Sequence, residues 1–195
     1  MQIAFFDFDG TITRKDSFID FIQHVYGVPR FFFGFLWKSP YILAFKTGIY
    51  PNYRAKEQIL SYFFGGMTGE AFQEIADKYS REHLSRLIKS SALDKICYHK
   101  LEGHTVVVVS ASISNWMQHW CESNGLLLIS SKLEIIDGKI TGKLDGKNCH
   151  GPEKVTRIKK IFNLDQYRCI HAYGDSSGDT EMLALADVPN YRVFK

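Results

Sequence analysis

Two aspartates separated by one residue stand near the start of the chain, in the run Asp7-Phe8-Asp9-Gly10-Thr11. In an extended segment, residues two apart point to the same side, so both carboxylates are expected to face one ligand. Carboxylates this close repel each other unless a cation such as Mg²⁺ neutralises them. With a metal bound, one can act as a nucleophile and the other as a general acid and base. The alternative is a carboxylate pair that only caps a turn.

A second acidic pair lies near the end of the chain, where Asp175 follows Gly174 and Asp179 comes four residues later. Carboxylates that follow a strand suit Mg²⁺, which usually binds one or two of them together with a substrate phosphate. Taken alone, a helix N-cap formed by Asp175 or Ser176 explains these residues better.

Two further positions have side chains of the kind that bind phosphate. Ser110 and Ala111 follow a β-branched run, and a hydroxyl beside helix N-terminal amides makes a phosphate site. Lys154 lies in the first turn of a predicted helix, where a cation opposes the helix dipole, so an anionic partner would explain it. Taken singly, a helix cap by Ser112 or Ser114 and an exposed surface lysine are the simpler interpretations.

Each of these polar clusters follows a predicted element of an α/β fold. Apolar, β-branched and alternating runs predict strands over 3–6, 105–109, 126–129, 169–173 and 191–194, and a hairpin over 133–144 around Asp137-Gly138. Helical patterns lie between them, over 17–26, 71–79, 83–88, 114–121, 152–162 and 178–186. This alternation predicts a parallel sheet, and ligands bind beyond the carboxyl ends of its strands. The polar clusters that begin at Asp7, Ser110 and Asp175 are therefore expected to meet in one crevice.

Composition excludes several classes of protein. The chain has 195 residues, of which 45% are apolar and 23% charged, enough for a domain with a real core. A net charge of +3 does not indicate a nucleic-acid partner. The four cysteines form no CxxC pair, and two aspartates within nine residues rule out a signal peptide at the N-terminus. We therefore expect a cytoplasmic protein with reduced thiols.

The order of the motifs carries more information than any one of them. It is DxDGT after a strand, Ser after a second strand, Lys at a helix start and GDxxxD after a late strand. This order resembles the haloacid dehalogenase-like (HAD) phosphohydrolase superfamily, over about residues 3–14 and 100–190. The VVVVSAS segment, the 133–144 hairpin and the GPEKVTRI stretch look like its phosphoserine-phosphatase-like branch. The resemblance implies a Rossmann-like core over 1–14 and 89–195, with an inserted α-helical cap over 15–88.

The resemblance also implies roles for the motif residues. Asp7 matches the nucleophile that forms an aspartyl-phosphate, and Asp9 matches the acid and base. Lys154 matches the lysine that stabilises the nucleophile and the transferring phosphoryl group. The residues that match phosphate contacts are Gly10, Thr11, Ser110 and Ala111, together with Lys154.

A Mg²⁺ ion is the implied cofactor. Asp7, the main-chain carbonyl of Asp9 and Asp175 match its ligands, and Asp179 matches a further ligand or an orienting residue. The implied activity is Mg²⁺-dependent hydrolysis of a small phosphomonoester, and no nucleic acid is expected as a partner. A phosphorylated-Asp receiver module, which needs neither acid/base nor cap, and a mutase, which differs by its acceptor, are the alternatives.

The inserted region bears on the substrate. Asp16 matches an acidic residue that meets the substrate amino group in phosphoserine phosphatases, although an N-cap of the 17–26 helix explains it equally well. Arg54 or Lys56 is expected to meet a substrate carboxylate. The segment 21–56 contains no Asp or Glu and is rich in aromatics, as in caps of related enzymes that act on phosphatidylglycerophosphate. A lipid phosphate substrate and contact with a membrane surface are therefore an alternative to a buried cap core with a hydrophobic lid.

Overall fold

The computed structural model of the protein describes residues 1–39 and 51–195. Its strands are β1 (Gln2–Phe6), β2 (Thr105–Ile113), β3 (Leu127–Ser131), β4 (Leu133–Ile136), β5 (Lys139–Leu144), β6 (Cys169–Gly174) and β7 (Val188–Tyr191). The described α-helices are α1 (Ser17–Trp37), α2 (Asn52–Phe64), α3 (Gly69–Glu82), α4 (Ser90–Leu101), α5 (Asn115–Ser123), α6 (Pro152–Ile161) and α7 (Thr180–Ala184). The predicted α/β class is confirmed.

The main sheet is parallel and has β1 at its centre, in the order β3-β2-β1-β6-β7. Residues Ile3 to Phe6 of β1 are completely buried because helices cover both faces of the sheet. One face packs around Ala4 and Phe6 and continues into the inserted helices, whereas the other packs around Ile3 and Phe5. A central strand of this kind fixes the position of whatever follows it.

The last strand lies three residues earlier than the predicted 191–194. Val188–Tyr191 pairs with residues 171–174 of β6. Arg192 then takes a left-handed backbone conformation, with φ of 53°, and its amide donates to the carbonyl of Gly174. Phe194, which the predicted strand included, instead stacks its ring on Phe6 and Tyr173.

The inserted region is helical, as predicted. Helix α1 changes direction at Gly27, which has φ of 73°, so the predicted 17–26 helix ends at the kink and a second helical segment follows it. The predicted helix over 83–88 is a short 3₁₀ turn, Leu84–Leu87. Aromatic rings join the region to the core, since Phe21 contacts both Phe64 and Trp116.

The two ends of the inserted region lie side by side. The amide of Arg14 donates to the carbonyl of Leu87 at 2.8 Å, and that of Lys89 donates to Ile12 at 2.9 Å. The hairpin β4–β5 contacts the inserted region rather than the main sheet, because Ile140 exchanges backbone hydrogen bonds with Gly66 and Met67. The division at residues 14 and 89 stays a prediction.

None of the helices within residues 1–39 and 51–195 combines the length and apolar character needed to cross a bilayer. The aromatic part of the inserted region is described up to Trp37, and its continuation over 41–45 lies outside the described residues.

Candidate active site

Three neighbouring strands bring the motif residues to one edge of the sheet. Asp7 follows β1 and Asp175 follows β6, while Ser110 lies in β2. Strand β2 runs three residues beyond Ser110 through an irregular register, so Ser110 lies within the strand, not at its end. Asp7, Asp9, Ser110 and Asp179 line one cleft of about 510 Å³, and the main chain around Ala111 forms part of its wall.

Lys154 lies at the centre of the site and is 1% exposed. Its ammonium donates to Asp7 Oδ1 at 2.5 Å, to Asp179 Oδ1 at 2.7 Å and to the carbonyl of Val109 at 2.8 Å. An exposed surface lysine is therefore the wrong interpretation of this residue. The anionic partners predicted from its place in the first turn of α6 are two carboxylates of the protein itself.

The protonation equilibria of this cluster follow from burial and charge. Burial raises the pKa of Asp7 to about 7, even though the ammonium of Lys154 opposes the rise. Burial would lower the pKa of Lys154, but the two carboxylates hold it above its usual value. Burial would raise the pKa of Asp179, but Lys154 and the hydrogen bonds of Ser176 keep it below its usual value. Lys154 and Asp179 thus form a charged pair, and Asp7 lacks enough nearby positive charge.

Both carboxylate oxygens of Asp179 accept hydrogen bonds. Its Oδ2 accepts from the amides of Asp175 and Ser176, at 3.2 and 3.0 Å, and from the Ser176 hydroxyl at 2.9 Å. Ser176 in turn caps the short 3₁₀ turn that begins at Ser177. The cap is therefore Ser176, which leaves the Asp175 carboxylate available for another role.

The loop after β1 passes close to the Asp175 carboxylate. Gly10 has φ of 85°, and a Cβ atom there would lie 2.4 Å from Asp175 Oδ2, so glycine is required for this approach. The hydroxyl of Thr11 donates to Asp175 Oδ1 at 3.0 Å. Thr11 does not line the main cleft, so its hydroxyl orients an acidic side chain where a phosphate contact was predicted.

The acidic residues fit a hard divalent cation. Asp7, Asp175 and Asp179 each offer one carboxylate oxygen, and the three oxygens lie within 4.8 Å of one another. Lys154 supplies a single positive charge to this group, and carboxylate oxygens are the ligands that Mg²⁺ prefers. These residues would hold the ion; participation of the Asp9 carbonyl stays a prediction.

Asp9 has both carboxylate oxygens fixed beside the cleft. The backbone amide of Ser17 donates to Oδ1 at 2.7 Å, and the hydroxyl of Ser112 donates to Oδ2 at 2.6 Å. A helix cap was one interpretation of Ser112, and the structure instead shows its hydroxyl bound to Asp9. Its spacing of two from Ser110 was the available signal, since it places both side chains on the same side of β2.

The inserted region contributes charged groups of both signs to the cleft. Asp16 caps α1 by accepting from the amide of Ile19 at 3.1 Å, as one interpretation expected, and its side chain also lines the cleft. Lys56 lines the cleft and donates to the carbonyl of Ala111 at 2.7 Å, and burial lowers its pKa to about 8. Arg54 is exposed and does not line the cleft. Of the two predicted cations, Lys56 is the one at the site.

Several residues outside the motifs also line the cleft. His150 lines the cleft, and burial is the main cause of its lowered pKa. Asn148 lines it as well, with its Oδ1 accepting from the Ser131 hydroxyl at 3.0 Å. Besides Asp16 and Lys56, the inserted region contributes apolar side chains to the cleft: Phe18, Ile19, Phe35, Ala55 and Ile59.

Comparisons with known proteins identify the family. A family model described as haloacid dehalogenase-like hydrolase matches residues 4–184. Protein CicA of Caulobacter vibrioides is 37% identical over 194 residues, which cover 97% of this chain and 85% of that protein. This chain belongs to the haloacid dehalogenase-like hydrolase family. The predicted family is confirmed, and with it the prediction of an enzyme of the hydrolase class.

More distant relatives agree with this assignment. A probable phosphatase of Mycobacterium tuberculosis is 27% identical over 186 residues, covering 92% of this chain and 64% of that protein. A Bordetella pertussis protein of unknown function has a TM-score of 0.82 at 20% identity, over 95% of this chain and 86% of that one. A phosphoserine phosphatase solved as a phospho-aspartyl intermediate analogue has a TM-score of 0.66 at 22% identity. The match covers 94% of this chain and 82% of that one. These structures confirm the predicted fold.

Removing the ammonium of Lys154 should destabilise the protein, because two carboxylates would remain buried without a counter-charge. We expect Lys154→Met to lower the free energy of unfolding by about 3 kcal/mol in the presence of a chelator, and Mg²⁺ to restore part of the loss. Urea denaturation followed by circular dichroism measures this. Lys160→Met, at the exposed end of the same helix, is the control and should change stability by less than about 0.5 kcal/mol. Equal stability of the two variants would contradict the assigned role of Lys154.

Proposed function

We propose that the protein is a Mg²⁺-dependent phosphomonoester hydrolase that acts through an aspartyl-phosphate on Asp7. The observation that carries the proposal is the pairing of two differently held carboxylates at one cleft. Asp7 accepts a hydrogen bond from the buried ammonium of Lys154. Asp9 instead accepts hydrogen bonds from a backbone amide and a serine hydroxyl. Two such environments suit a nucleophile and a proton-transfer group.

In the first step, a carboxylate oxygen of Asp7 forms a bond to phosphorus as the bond from phosphorus to the ester oxygen breaks. Asp9 gives its proton to the departing oxygen, so the alcohol leaves neutral. In the second step, Asp9 takes a proton from water, whose oxygen attacks phosphorus. The bond to Asp7 then breaks and releases phosphate. Lys154 neutralises charge that develops on the phosphoryl oxygens.

Mg²⁺ held by Asp7, Asp175 and Asp179 would supply the further positive charge that the phosphoryl group needs and keep Asp7 ionised. Ser110 is 1% exposed and lines the cleft, and it is the hydroxyl best placed to meet the phosphate there. Backbone amides near Gly10 and Ala111 are the further phosphate contacts that we propose.

The side of the cleft formed by the inserted region favours a small metabolite with charged groups. Asp16 and Lys56 lie on the same wall, so an ammonium and a carboxylate of the leaving group can each find an opposite charge. A phosphorylated amino acid has this combination. The fold shared with phosphoserine phosphatases agrees with such a substrate class. A cytoplasmic location, where such metabolites occur, stays part of the proposal.

Replacing each carboxylate separately tests the division of roles. Asp7→Asn should abolish release of inorganic phosphate from p-nitrophenyl phosphate and phosphoserine. Asp9→Asn should slow release at least about a hundredfold, because proton transfer to the leaving oxygen is lost. Release should also require Mg²⁺ and stop with chelator.

The same variants separate an enzyme from a receiver-like module. A receiver would take phosphate from a small donor such as acetyl phosphate onto Asp7 and keep it equally well with or without Asp9. Intact-protein mass spectrometry of wild type and Asp9→Asn measures the bound phosphate. Stable phosphorylation of wild type without turnover would contradict the enzyme assignment. Phosphate retained in organic products would indicate a mutase.

The lowered pKa of Lys56 predicts a pH-dependent substrate affinity. Lys56 is charged below a pKa of about 8 and neutral above it, so attraction for an anionic leaving group is lost as the pH rises. The KM for phosphoserine should therefore rise through pH 8, with a smaller effect on kcat. Lys56→Met should show a high KM that does not vary over this range. Arg54→Met, on the same helix but outside the cleft, should behave like wild type; a pH-independent KM in wild type would contradict the role of Lys56.

A lipid phosphate is the second candidate substrate, and one observation favours it. The outer face of α1 exposes large apolar side chains with 63–73% of their surface accessible: Phe32, Phe33, Leu36 and Trp37. Phe35 on the same helix lines the cleft, so an apolar surface and the cleft adjoin. Such a face beside basic residues can lie at an anionic membrane interface.

Flotation with anionic liposomes at low salt tests this alternative. If the substrate is a lipid phosphate, wild type should float with the vesicles, and Phe33→Ser with Trp37→Ser should reduce binding at least about tenfold through loss of buried apolar area. Leu101→Ser, an exposed apolar residue on α4, is the control. Absence of binding at low salt would exclude the membrane version and leave the small metabolite.

A further inference from the structure

Three histidines from distant parts of the chain meet on one face of the sheet. His99 lies near the end of α4 and is completely buried, His104 precedes β2, and His171 lies in β6. One ring nitrogen of each lies within 4.8 Å of the others, and the Nδ1 atoms of His99 and His104 are 2.8 Å apart. The catalytic proposal uses none of these side chains.

The spacing suits a small metal ion. In a tetrahedral zinc site with metal–nitrogen distances of about 2.0 Å, the ligand nitrogens lie roughly 3.3 Å from one another. The three nitrogens here span separations from 2.8 Å to at most 4.8 Å, so small side-chain rotations bring them to that distance. Imidazole nitrogen is a preferred ligand of zinc, copper, iron and nickel ions, whereas Mg²⁺ prefers oxygen ligands.

The surroundings orient two of the rings. Nε2 of His99 lies 2.9 Å from the Tyr173 hydroxyl, and Nε2 of His171 lies 2.9 Å from Gln2 Oε1. Metal-binding histidines usually have their other ring nitrogen held by such a partner, which sets the tautomer and ring angle. Both partners leave Nδ1 as the nitrogen available to a metal.

The cluster is separate from the catalytic edge. His171 precedes Asp175 by four residues of extended chain, a distance of about 13 Å along β6. His104 lies before the first residue of β2, at the amino end of a strand whose other end reaches the cleft. The two groups also differ in kind, with carboxylate oxygens at one end of the sheet and imidazole nitrogens at the other.

We propose that His99, His104 and His171 form a second metal site, for a divalent transition-metal ion such as Zn²⁺, at the edge of the sheet opposite the catalytic cleft. With water as a fourth ligand, the ion joins α4, the turn before β2 and β6. It acts as a structural clamp on the folded core, because a ligand that binds only the folded chain stabilises it.

Zinc binding in a large excess of Mg²⁺ tests the site, because Mg²⁺ then occupies the carboxylates without competing for imidazole. Competition with a chromophoric zinc chelator should show one Zn²⁺ per wild-type chain. His104→Ala and His171→Ala should each weaken binding by more than about a hundredfold, since even loss of an orienting partner costs 10- to 100-fold. Asp175→Asn and His119→Ala, which lie outside the cluster, should bind like wild type.

The proposal would be overturned by the absence of stoichiometric zinc binding in wild type, and equally by unchanged binding in His104→Ala. Should a variant fail to fold, wild type alone decides, because one equivalent of Zn²⁺ should shift the ring proton signals of three histidines together in an NMR spectrum and raise Tm. Signals that move singly, or Zn²⁺ lost on Asp175→Asn, would assign the metal to another place. Phosphatase activity does not enter this test, so its outcome is independent of the proposed catalytic function.

Discussion

The burial of the Lys154 ammonium constrains all the elements that meet at the cleft. Taking a charged lysine out of water costs several kcal/mol unless opposite charges and hydrogen-bond acceptors surround it closely. Lys154 has two carboxylates and a carbonyl within 2.8 Å, and these come from β1, β2 and the turn after β6. All three partners must surround the ammonium in the folded chain, because a missing one would leave a buried charge uncompensated. The ammonium therefore links parts of the chain that lie up to 147 residues apart.

A parallel sheet is the architecture that satisfies this constraint. Strands β2, β1 and β6 are neighbours and run in the same direction, so Val109 within β2, Asp7 after β1 and Asp179 after β6 reach one ammonium. The close fit extends to the backbone, since Gly10 leaves room for the Asp175 carboxylate that any Cβ atom would occupy. Asp7, Asp175 and Asp179 carry more negative charge than Lys154 balances, and a divalent cation would neutralise the excess.

The sequence predicted those features that depend on local pattern. The apolar run before Asp7 and the β-branched run before Ser110 predict strands, and parallel pairing then predicts that the acidic clusters meet. It did not predict the position of β7, because the short run over 191–194 does not reveal that the Phe194 ring packs on Phe6 and Tyr173. Nor did it predict the hydrogen bond from Ser112 to Asp9, which joins residues 103 apart. Contacts of this kind depend on tertiary packing, which no local pattern records.

The hydrogen bonds of Asp9 connect the chemistry to the inserted region. One of its oxygens accepts from the amide of Ser17, the first residue of α1. The other accepts from Ser112, whose hydroxyl lies 3.5 Å from that of Ser17, which in turn accepts from the Trp116 indole. Trp116 also stacks on Phe21 of α1. The packing of α1 against the core therefore helps to orient the carboxylate of Asp9. Asp9 is therefore positioned by the same helix that contributes side chains to the cleft.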